Sequence, residues 1–411
     1  MAIQVLKPKF HVEECLEQVR ECLEKGWTGM GFKTVEFEEA WKEYTGHKYA
    51  YYLNSNTVGL HLAVKILKMN NRWEDGDEVI STPITFVSTN HAIMYENLKP
   101  VFADVDEYLC LNPIDVEKKI TNKTKAIIFV GYGGRVGQLD KIIEICKKNN
   151  LRLILDAAHM SGTKVNGVCP GTWDGVDVAV YSYQAVKNLA TGDSGCICWN
   201  DEGSHLLTKQ LAWCGINKDT YARSNKGTYA WKYDVDYVGY KYNGNAIMAG
   251  IALTQLKYLD EENARRREIV KMYDEGFKDN PLIKIIPAPF ADECSYHLYE
   301  LQVPDREALL DFLAKNDINC GVHYRDNTEY SVFAYGNGTC PIAHKVSQHL
   351  ITMPLHMWLT DEDVKKIIEK VNEFVKWWIL NLENCPFMIQ PKLSNGEIQQ
   401  KSRKIFILKR I

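Results

Sequence analysis

Short apolar runs alternate with amphipathic stretches through the first half of the chain. Each run holds six to eight residues and is rich in Val, Ile, Leu and Phe, which is typical of strands buried on both faces. The runs are DEVIST (77–82), KPVFADVD (99–106), KAIIFVGY (125–132), LRLILDAA (151–158) and DVAVYSY (177–183). Segments with helical periodicity lie between several of these runs, such as QLDKIIEICKKNN at 138–150. This alternation predicts an α/β fold with a mainly parallel, mixed sheet between helices.

The pattern changes near residue 255. A long charged helix, LKYLDEENARRREIVKMYDEGF, leads through PAPFADE to a probable strand, HLYELQV, and then to the helix DREALLDFLAKN. We therefore expect a large domain over 1–254 and a smaller α+β domain over 255–380. Residues 381–411 form a basic tail of unknown role, for which a loosely ordered, solvated segment is the simpler interpretation.

The composition of the chain mainly argues against certain classes of protein. The chain has 411 residues and a formal net charge of −4, so nothing predicts broad nucleic-acid binding. The first residues, MAIQVLKPKFHVEECLEQV, turn amphipathic at once, and no apolar stretch is long enough to span a membrane. The 12 cysteines form neither a CxxC pair nor a regular framework, so we expect reduced thiols, no metal and a cytoplasmic protein.

Lys187 stands where an apolar run breaks into a glycine-bearing turn, in VYSYQAVKNLATGDSGCICWND. With 49 Lys and Arg in the chain, a solvated loop lysine is the first interpretation. The preceding strand, however, delivers Lys187 to the carboxyl edge of the predicted sheet. Ligands of open α/β sheets bind at that edge. Lys187 is therefore a candidate for covalent chemistry.

Three other groups follow strands of the same sheet. LILDAAH ends a buried strand on Asp156, which could meet a cation or merely cap the next helix. LNSNTVGLHLAVKIL opens a helix whose first N–H groups could hold a phosphate or carry an ordinary cap. Phe86 follows another strand and could be a core aromatic or a stacking face. Taken together with Lys187, these features meet the needs of pyridoxal 5'-phosphate (PLP).

The sequence also resembles the sugar aminotransferases of the DegT/StrS type over about residues 5–375. The matching stretches occur in the order expected for that family. They are GWTGMG (26–31), SNTVGLHLA (55–63), TPITFVSTNHAI (82–93), PVFADVD (100–106), DAAH (156–159), SYQAVKN (182–188), GYKYN (239–243), ARRREI (264–269) and GVHYR (321–325). The resemblance implies the fold type I aminotransferase architecture and PLP as cofactor.

The resemblance assigns roles to individual residues. It implies that Lys187 carries the cofactor and acts as the catalytic base, that Asp156 pairs with the ring nitrogen and that Phe86 stacks on the ring. His159 lies where the family contacts the hydroxyl side of the ring. The residues that fall at the cofactor phosphate are Ser182, Asn56 and Thr57. Thr28, His323 and Tyr324 are the candidates for substrate binding, although His323 and Tyr324 could equally be domain-contact residues.

Lys241 and Asn243 match positions that reach the cofactor phosphate of a neighbouring subunit, which implies a homodimer with shared active sites. The implied reaction moves the amino group of glutamate onto a keto sugar, most simply a nucleotide-linked keto-deoxyhexose, in amino-sugar biosynthesis for surface polysaccharide, lipopolysaccharide or another glycoconjugate. Two alternatives stay open. One is a keto sugar without a nucleotide, such as a keto-octulosonate, or a cyclitol ketone. The other is a non-catalytic regulator, which would not need Lys187 and Asp156 together.

Overall fold

The computed structural model describes residues 2–218 and 232–383, and its central feature is a seven-stranded sheet. The order of the strands is β1-β7-β6-β5-β4-β2-β3. β2 to β6 pair in parallel, whereas β7 runs antiparallel to both of its neighbours. The strands are β1 Tyr49–Leu53, β2 Glu78–Ser81, β3 Lys99–Phe102, β4 Thr124–Val130, β5 Arg152–Asp156, β6 Val178–Ser182 and β7 Gly195–Trp199. The expected mainly parallel, mixed sheet is confirmed.

Successive side chains of this sheet enter two different apolar layers, because a strand alternates its faces. In β4, Ile127 and Phe129 join one layer, while Ala126 and Ile128 join the other. Both faces are covered by helices, and nearly all residues of the central strands β4, β5 and β6 are buried, which explains their mostly apolar composition.

Eleven α-helices lie within 2–218 and 232–383. They are α1 Val12–Glu24, α2 Phe32–Thr45, α3 Asn56–Asn71, α4 Ser88–Met94, α5 Pro113–Lys119, α6 Leu139–Asn149, α7 Glu202–Leu211, α8 Ala246–Phe277, α9 Arg306–Lys315, α10 Pro341–His349 and α11 Asp361–Glu383. The predicted helix at 138–150 is α6, and the long charged helix is the second half of α8. None of these helices has a stretch apolar enough to cross a membrane.

A second, antiparallel sheet follows α8 and has its own apolar core. Its order is β10-β9-β8, and its strands are β8 Lys284–Ile285, β9 Tyr299–Gln302 and β10 Leu350–Met353. The amino-terminal segment joins this part of the chain, since Ile3 pairs with Ile318 and the carbonyl of Val5 accepts from the N–H of Leu355.

The predicted boundary between residues 254 and 255 falls inside α8. The division into 1–254 and 255–380 therefore stays a prediction. Of the predicted tail at 381–411, residues 384–411 lie outside the described part of the chain. The first three residues of that tail end α11.

Candidate active site

Lys187 lies in the turn that follows β6, at the carboxyl edge of the large sheet. Its backbone N–H donates to the carbonyl of Gln184 at 2.8 Å, which holds the turn closed. The side chain is half-buried, and the amine Nζ lies 3.3 Å from Nε2 of His297. Burial lowers the pKa of Lys187 to about 8, although the nearby Asp156 carboxylate acts in the opposite direction. The amine is therefore mainly charged near physiological pH, but its neutral fraction is far larger than that of an ordinary lysine.

Asp156 is the last residue of β5, the strand beside β6, and it is buried. Thr89 Oγ1 donates to Oδ2 at 2.8 Å, and the N–H of Ala158 donates to Oδ1 at 3.2 Å. Asn56 Nδ2 lies 3.4 Å from Oδ1 and also donates to the carbonyl of Val180 at 3.0 Å. Burial raises the pKa of Asp156, and these donors together with the charge of Lys187 oppose the rise.

His159 follows Asp156 by three residues and is fixed in one tautomer. The N–H of Gly133 donates to Nδ1 at 3.1 Å, so the ring proton must lie on Nε2, which is 3.2 Å from the hydroxyl of Tyr324. Burial lowers the pKa of His159 well below its ordinary value, and the charge of Lys187 acts in the same direction. His159 is therefore a neutral donor toward Tyr324.

The predicted substrate residues His323 and Tyr324 lie near the other candidate residues, since His323 is within electrostatic reach of Lys187 and the hydroxyl of Tyr324 is 3.2 Å from Nε2 of His159. Nδ1 of His323 is 3.0 Å from Oγ1 of Thr352 in β10, and burial lowers the pKa of His323 to about 4. The rings of Tyr324 and Phe86 are 6.2 Å apart, centroid to centroid. Phe86 is 57% exposed, so it is not a core aromatic. Tyr324 therefore lies between the exposed ring of Phe86 and His159.

The start of α3 approaches the start of β7 closely. Asn56 is the first residue of α3 and is buried, while Thr57 is half-buried at the second position. Ser55 caps the helix by accepting the N–H of Val58 at 3.4 Å. A Cβ at Gly195 would lie 2.7 Å from the backbone nitrogen of Asn56, so only glycine permits this approach. Ser182 pairs with Gly195 across the sheet, which brings its side chain to the same edge.

The structure does not bring Lys241, Asn243 and Thr28 to Lys187. The carbonyl of Lys241 accepts from Asn54 Nδ2 at 3.2 Å, so the segment runs beside the approach to α3, yet its amine lies 3.1 Å from the ring centroid of Trp213. Asn243 keeps a buried Oδ1 without a partner among the described residues. Thr28 is exposed, and its carbonyl accepts from the N–H of Ala246 at the start of α8 at 3.1 Å.

Sequence reasoning did not identify Thr89, Gly133 or His297 as contacts of this site. Thr89 is the second residue of α4, within the stretch TPITFVSTNHAI, and nothing in the pattern distinguishes it from any other residue of a first helical turn. His297 lies more than 100 positions from Lys187 in sequence. The available signal was the histidine that opens the apolar run HLYELQV, since a buried histidine needs polar partners.

The residues present fit PLP. Asp156 is a buried carboxylate that forms no ion pair within 4.0 Å among the described side chains, and a buried charge of this kind calls for a cationic partner. The ring nitrogen of PLP supplies one when protonated. The N-terminus of α3 provides N–H groups and a favourable dipole for a phosphate. Within residues 2–218 and 232–383, no group of acidic, cysteine or histidine side chains is arranged to hold a metal ion.

Comparison with known proteins identifies the family. Residues 10–372 match the DegT/DnrJ/EryC1/StrS aminotransferase family. The spore coat polysaccharide biosynthesis protein SpsC of Bacillus subtilis is 33% identical over 380 residues, which cover 89% of this chain and 95% of SpsC. The likeness therefore extends over both the large sheet and the small antiparallel sheet.

Solved structures agree with this assignment. Spr1654 of Streptococcus pneumoniae, described as a sugar aminotransferase, superposes with a TM-score of 0.84 at 28% identity and covers 94% of this chain and 100% of its own. It has been solved in both PLP and PMP forms. PseC of Helicobacter pylori, an aminotransferase involved in the biosynthesis of pseudaminic acid, has a TM-score of 0.82 at 26% identity, with 92% and 100% covered. The chain belongs to the DegT/DnrJ/EryC1/StrS family of PLP-dependent sugar aminotransferases.

Proposed function

We propose that this aminotransferase moves the amino group of glutamate onto a keto sugar, most simply a nucleotide-linked keto-deoxyhexose, and that Lys187 is its catalytic residue. The observation that carries the proposal is the position of Lys187 in the turn after β6, within electrostatic reach of the buried carboxylate of Asp156 at the end of the neighbouring β5. An amine and an acid held at one edge of a parallel sheet suit proton transfer next to a bound ring.

PLP, when bound, supplies an electron sink beside the nitrogen of the amino donor. Asp156 would hold a proton on the ring nitrogen, because its buried negative charge stabilises a cation there. Lys187 would take the proton from Cα of the donor with its neutral amine and later return a proton to the carbon of the acceptor. The same base thus serves both halves of the reaction.

The remaining cleft residues would orient the cofactor. Phe86 offers an exposed aromatic face for stacking, and His159 offers a fixed neutral imidazole. The start of α3, with Asn56 and Thr57, and the neighbouring Ser182 would hold the phosphate. Asn56 also bonds to Asp156, so the phosphate end and the ring-nitrogen end of the site are connected directly.

We place the sugar near His323 and Tyr324, which reach the cleft from the part of the chain that carries the small sheet. Thr28 would approach the substrate only from a greater distance or from another subunit. The identity of SpsC as a polysaccharide biosynthesis protein and of PseC as an enzyme of pseudaminic acid biosynthesis supports a role in amino sugars for surface polysaccharide, lipopolysaccharide or another glycoconjugate. Scattered cysteines without a framework favour the cytoplasm.

The proposal is tested by incubating purified enzyme with glutamate and a panel of keto sugars. The panel pairs each sugar with and without a nucleotide diphosphate, and it includes a keto-octulosonate and a cyclitol ketone. We expect formation of 2-oxoglutarate and of an amino sugar to be at least tenfold faster with one nucleotide-linked member than with its unattached counterpart. Equal rates for the two members of every pair would exclude recognition of the nucleotide. Turnover with alanine but not with glutamate would exclude glutamate as the amino donor.

We also propose a homodimer in which Lys241 and Asn243 complete the partner's site. Four apolar side chains just before this segment are 40% to 92% exposed, and exposed apolar patches of this kind mark contact surfaces. They are Tyr233, Val235, Tyr237 and Val238. Because Lys241 reaches no group of its own cleft, its amine is available to a second chain once it leaves Trp213.

Mixing two inactive variants tests this arrangement. Chains with Lys187→Ala are mixed with chains altered to alanine at both Lys241 and Asn243, and subunit exchange is verified by mass. Half of the dimers are then hybrids with one wholly native site, so about one quarter of the native activity should return. A mixture of Lys187→Ala and Lys187→Met chains is the control and should stay inactive. Verified hybrids without recovered activity would show that each site is built from one chain.

A further inference from the structure

A continuous line of hydrogen bonds leads from the amine of Lys187 into the interior. Lys187 Nζ lies 3.3 Å from Nε2 of His297, and Nδ1 of His297 lies 3.1 Å from Oδ1 of Asn188. Asn188 Nδ2 donates to Oδ1 of Asn263 at 2.7 Å, and Asn263 Nδ2 donates to the carbonyl of Ser161 at 3.0 Å. His297, Asn188 and Asn263 are all buried.

The backbone carbonyl of Ser161 fixes the direction of every bond in this line. A carbonyl only accepts, so Asn263 must present its NH₂ group to Ser161 and its oxygen to Asn188. Asn188 then presents its NH₂ group to Asn263, and a second bond from the same nitrogen to the carbonyl of Ser295 at 2.8 Å agrees with that orientation. Its oxygen accepts from His297, so the ring proton of His297 lies on Nδ1 and the lone pair of Nε2 faces Lys187.

Space around these side chains is tight, which keeps the line in one arrangement. Gly162 has a φ of +88°, and a Cβ there would lie 2.2 Å from Asn263 Nδ2. Asn188 follows Lys187 directly in sequence, whereas Asn263 lies on α8 and His297 precedes β9. Three separate segments of the chain thus meet next to the amine of Lys187.

We infer that His297 is a positioning residue for Lys187: held by Asn188 in its Nδ1–H tautomer, it accepts an N–H of the Lys187 amine and fixes where that amine stands. The inference rests on the proposed role of Lys187. A neutral amine that donates one N–H keeps its own lone pair, so the amine can still take a proton from a substrate carbon. A protonated amine donates more strongly to the same acceptor, so His297 also favours the charged form.

Other charged and titratable groups surround the pair. The Asp156 carboxylate faces Lys187 from β5 and raises its pKa, against the larger effect of burial. His159, Arg266 and His323 face His297 from three other elements. Burial lowers the pKa of His297 well below its ordinary value, with the charge of Lys187 the next contribution. His297 therefore stays neutral through the range in which Lys187 titrates.

The experiment measures the pKa of Lys187 in the full chain after removal of the cofactor. The rate at which a small acylating reagent modifies Lys187 is followed against pH, and the modified peptide is quantified by mass spectrometry. The native midpoint should lie near pH 8. His297→Met fills similar space without a good acceptor and should lower the midpoint by about one unit, since charge-assisted bonds are roughly twice as strong as neutral ones. His297→Gln offers an oxygen and should restore most of that shift.

Controls separate this role from simple packing. His47 is a buried neutral histidine bonded to Tyr181, so His47→Met should leave the midpoint of Lys187 unchanged. If the methionine variant at 297 does not fold, ¹⁵N-histidine NMR of the unaltered chain provides a second measurement, with the His297 signals identified by their loss in His297→Gln. A proton on Nε2, or a midpoint that is the same with and without the acceptor, would overturn the inference.

Because these measurements use the chain without its cofactor or any substrate, they do not depend on which sugar is aminated. Labelling of a different lysine by borohydride in the loaded enzyme would defeat the proposed function while leaving the contact between His297 and Lys187 measurable. Conversely, an unchanged pKa of Lys187 in both variants at 297 would defeat the inference and leave the aminotransferase assignment intact.

Discussion

Replacement of Lys187 by alanine should lower the rate of amino transfer from glutamate by at least about 10³-fold. The substitution removes the proposed base, which in enzymes contributes roughly 10² to 10⁴, and it removes the group that attaches the cofactor covalently. Asp156 and the start of α3 are untouched, so the variant should still bind PLP without covalent attachment. The measurement is the single-turnover conversion of glutamate, followed by cofactor absorbance.

Two further measurements make the Lys187 experiment specific. Borohydride reduction of the unaltered enzyme should place the label on Lys187 and on no other lysine. Lys164→Ala is the matched control, because Lys164 is a partly exposed lysine near Asp260 and Tyr44. It should keep nearly full activity. A small primary amine added to the Lys187→Ala enzyme should restore part of the rate, and retention of normal activity without any added amine would contradict the assignment.

The large sheet was predictable because its strands are buried on both faces. A strand without a solvent face has no polar alternation, so the five runs are visible as short, mostly apolar segments. All five are strands in the structure, from β2 to β6. β1 was not predicted. Its sequence, YAYYL, is rich in tyrosine, and β1 is the last strand of the sheet, beside β7.

Site residues at the carboxyl edge of the sheet could be predicted, because the position of a strand determines where the residues at its end lie. Asp156 and Lys187 follow adjacent strands, and the structure places them within electrostatic reach of each other. His297, Thr89 and Gly133 could not be placed in this way. Their contacts depend on how the small sheet, α4 and the loop after β4 pack against that edge, and sequence periodicity carries no information on such packing.

The position of Lys241 shows a second limit on what the sequence can predict. Sequence resemblance assigns its amine to a cofactor phosphate, yet within one chain the amine rests on Trp213. The hydrophobic and polar pattern of one chain cannot show a contact that forms only between two chains. The exposed apolar side chains at 233–238 agree with the contact between two chains that we propose.

Replacement of Asp156 by asparagine should slow the reaction with glutamate by at least about two orders of magnitude, comparable to the loss of one transition-state donor in other enzymes. The local structure can tolerate the change. If the amide oxygen takes the place of Oδ1, it still accepts from the N–H of Ala158 and from Asn56. The new NH₂ group then faces Oγ1 of Thr89, which can accept from it by turning its own hydrogen toward Thr85 at 2.9 Å.

Asp156→Asn therefore removes the negative charge while keeping the shape, and the expected loss reports on how strongly that charge stabilises a protonated ring nitrogen. Thr89→Val is the matched control, because it removes one hydrogen bond to Asp156 and keeps the charge. It should cost clearly less than Asp156→Asn, because the charge that would face the ring nitrogen remains although one charge-assisted hydrogen bond to it is lost. If the asparagine enzyme reacts with glutamate at a nearly native rate, or if both variants lose activity equally, Asp156 acts through local structure and the proposed pairing with the ring nitrogen is wrong.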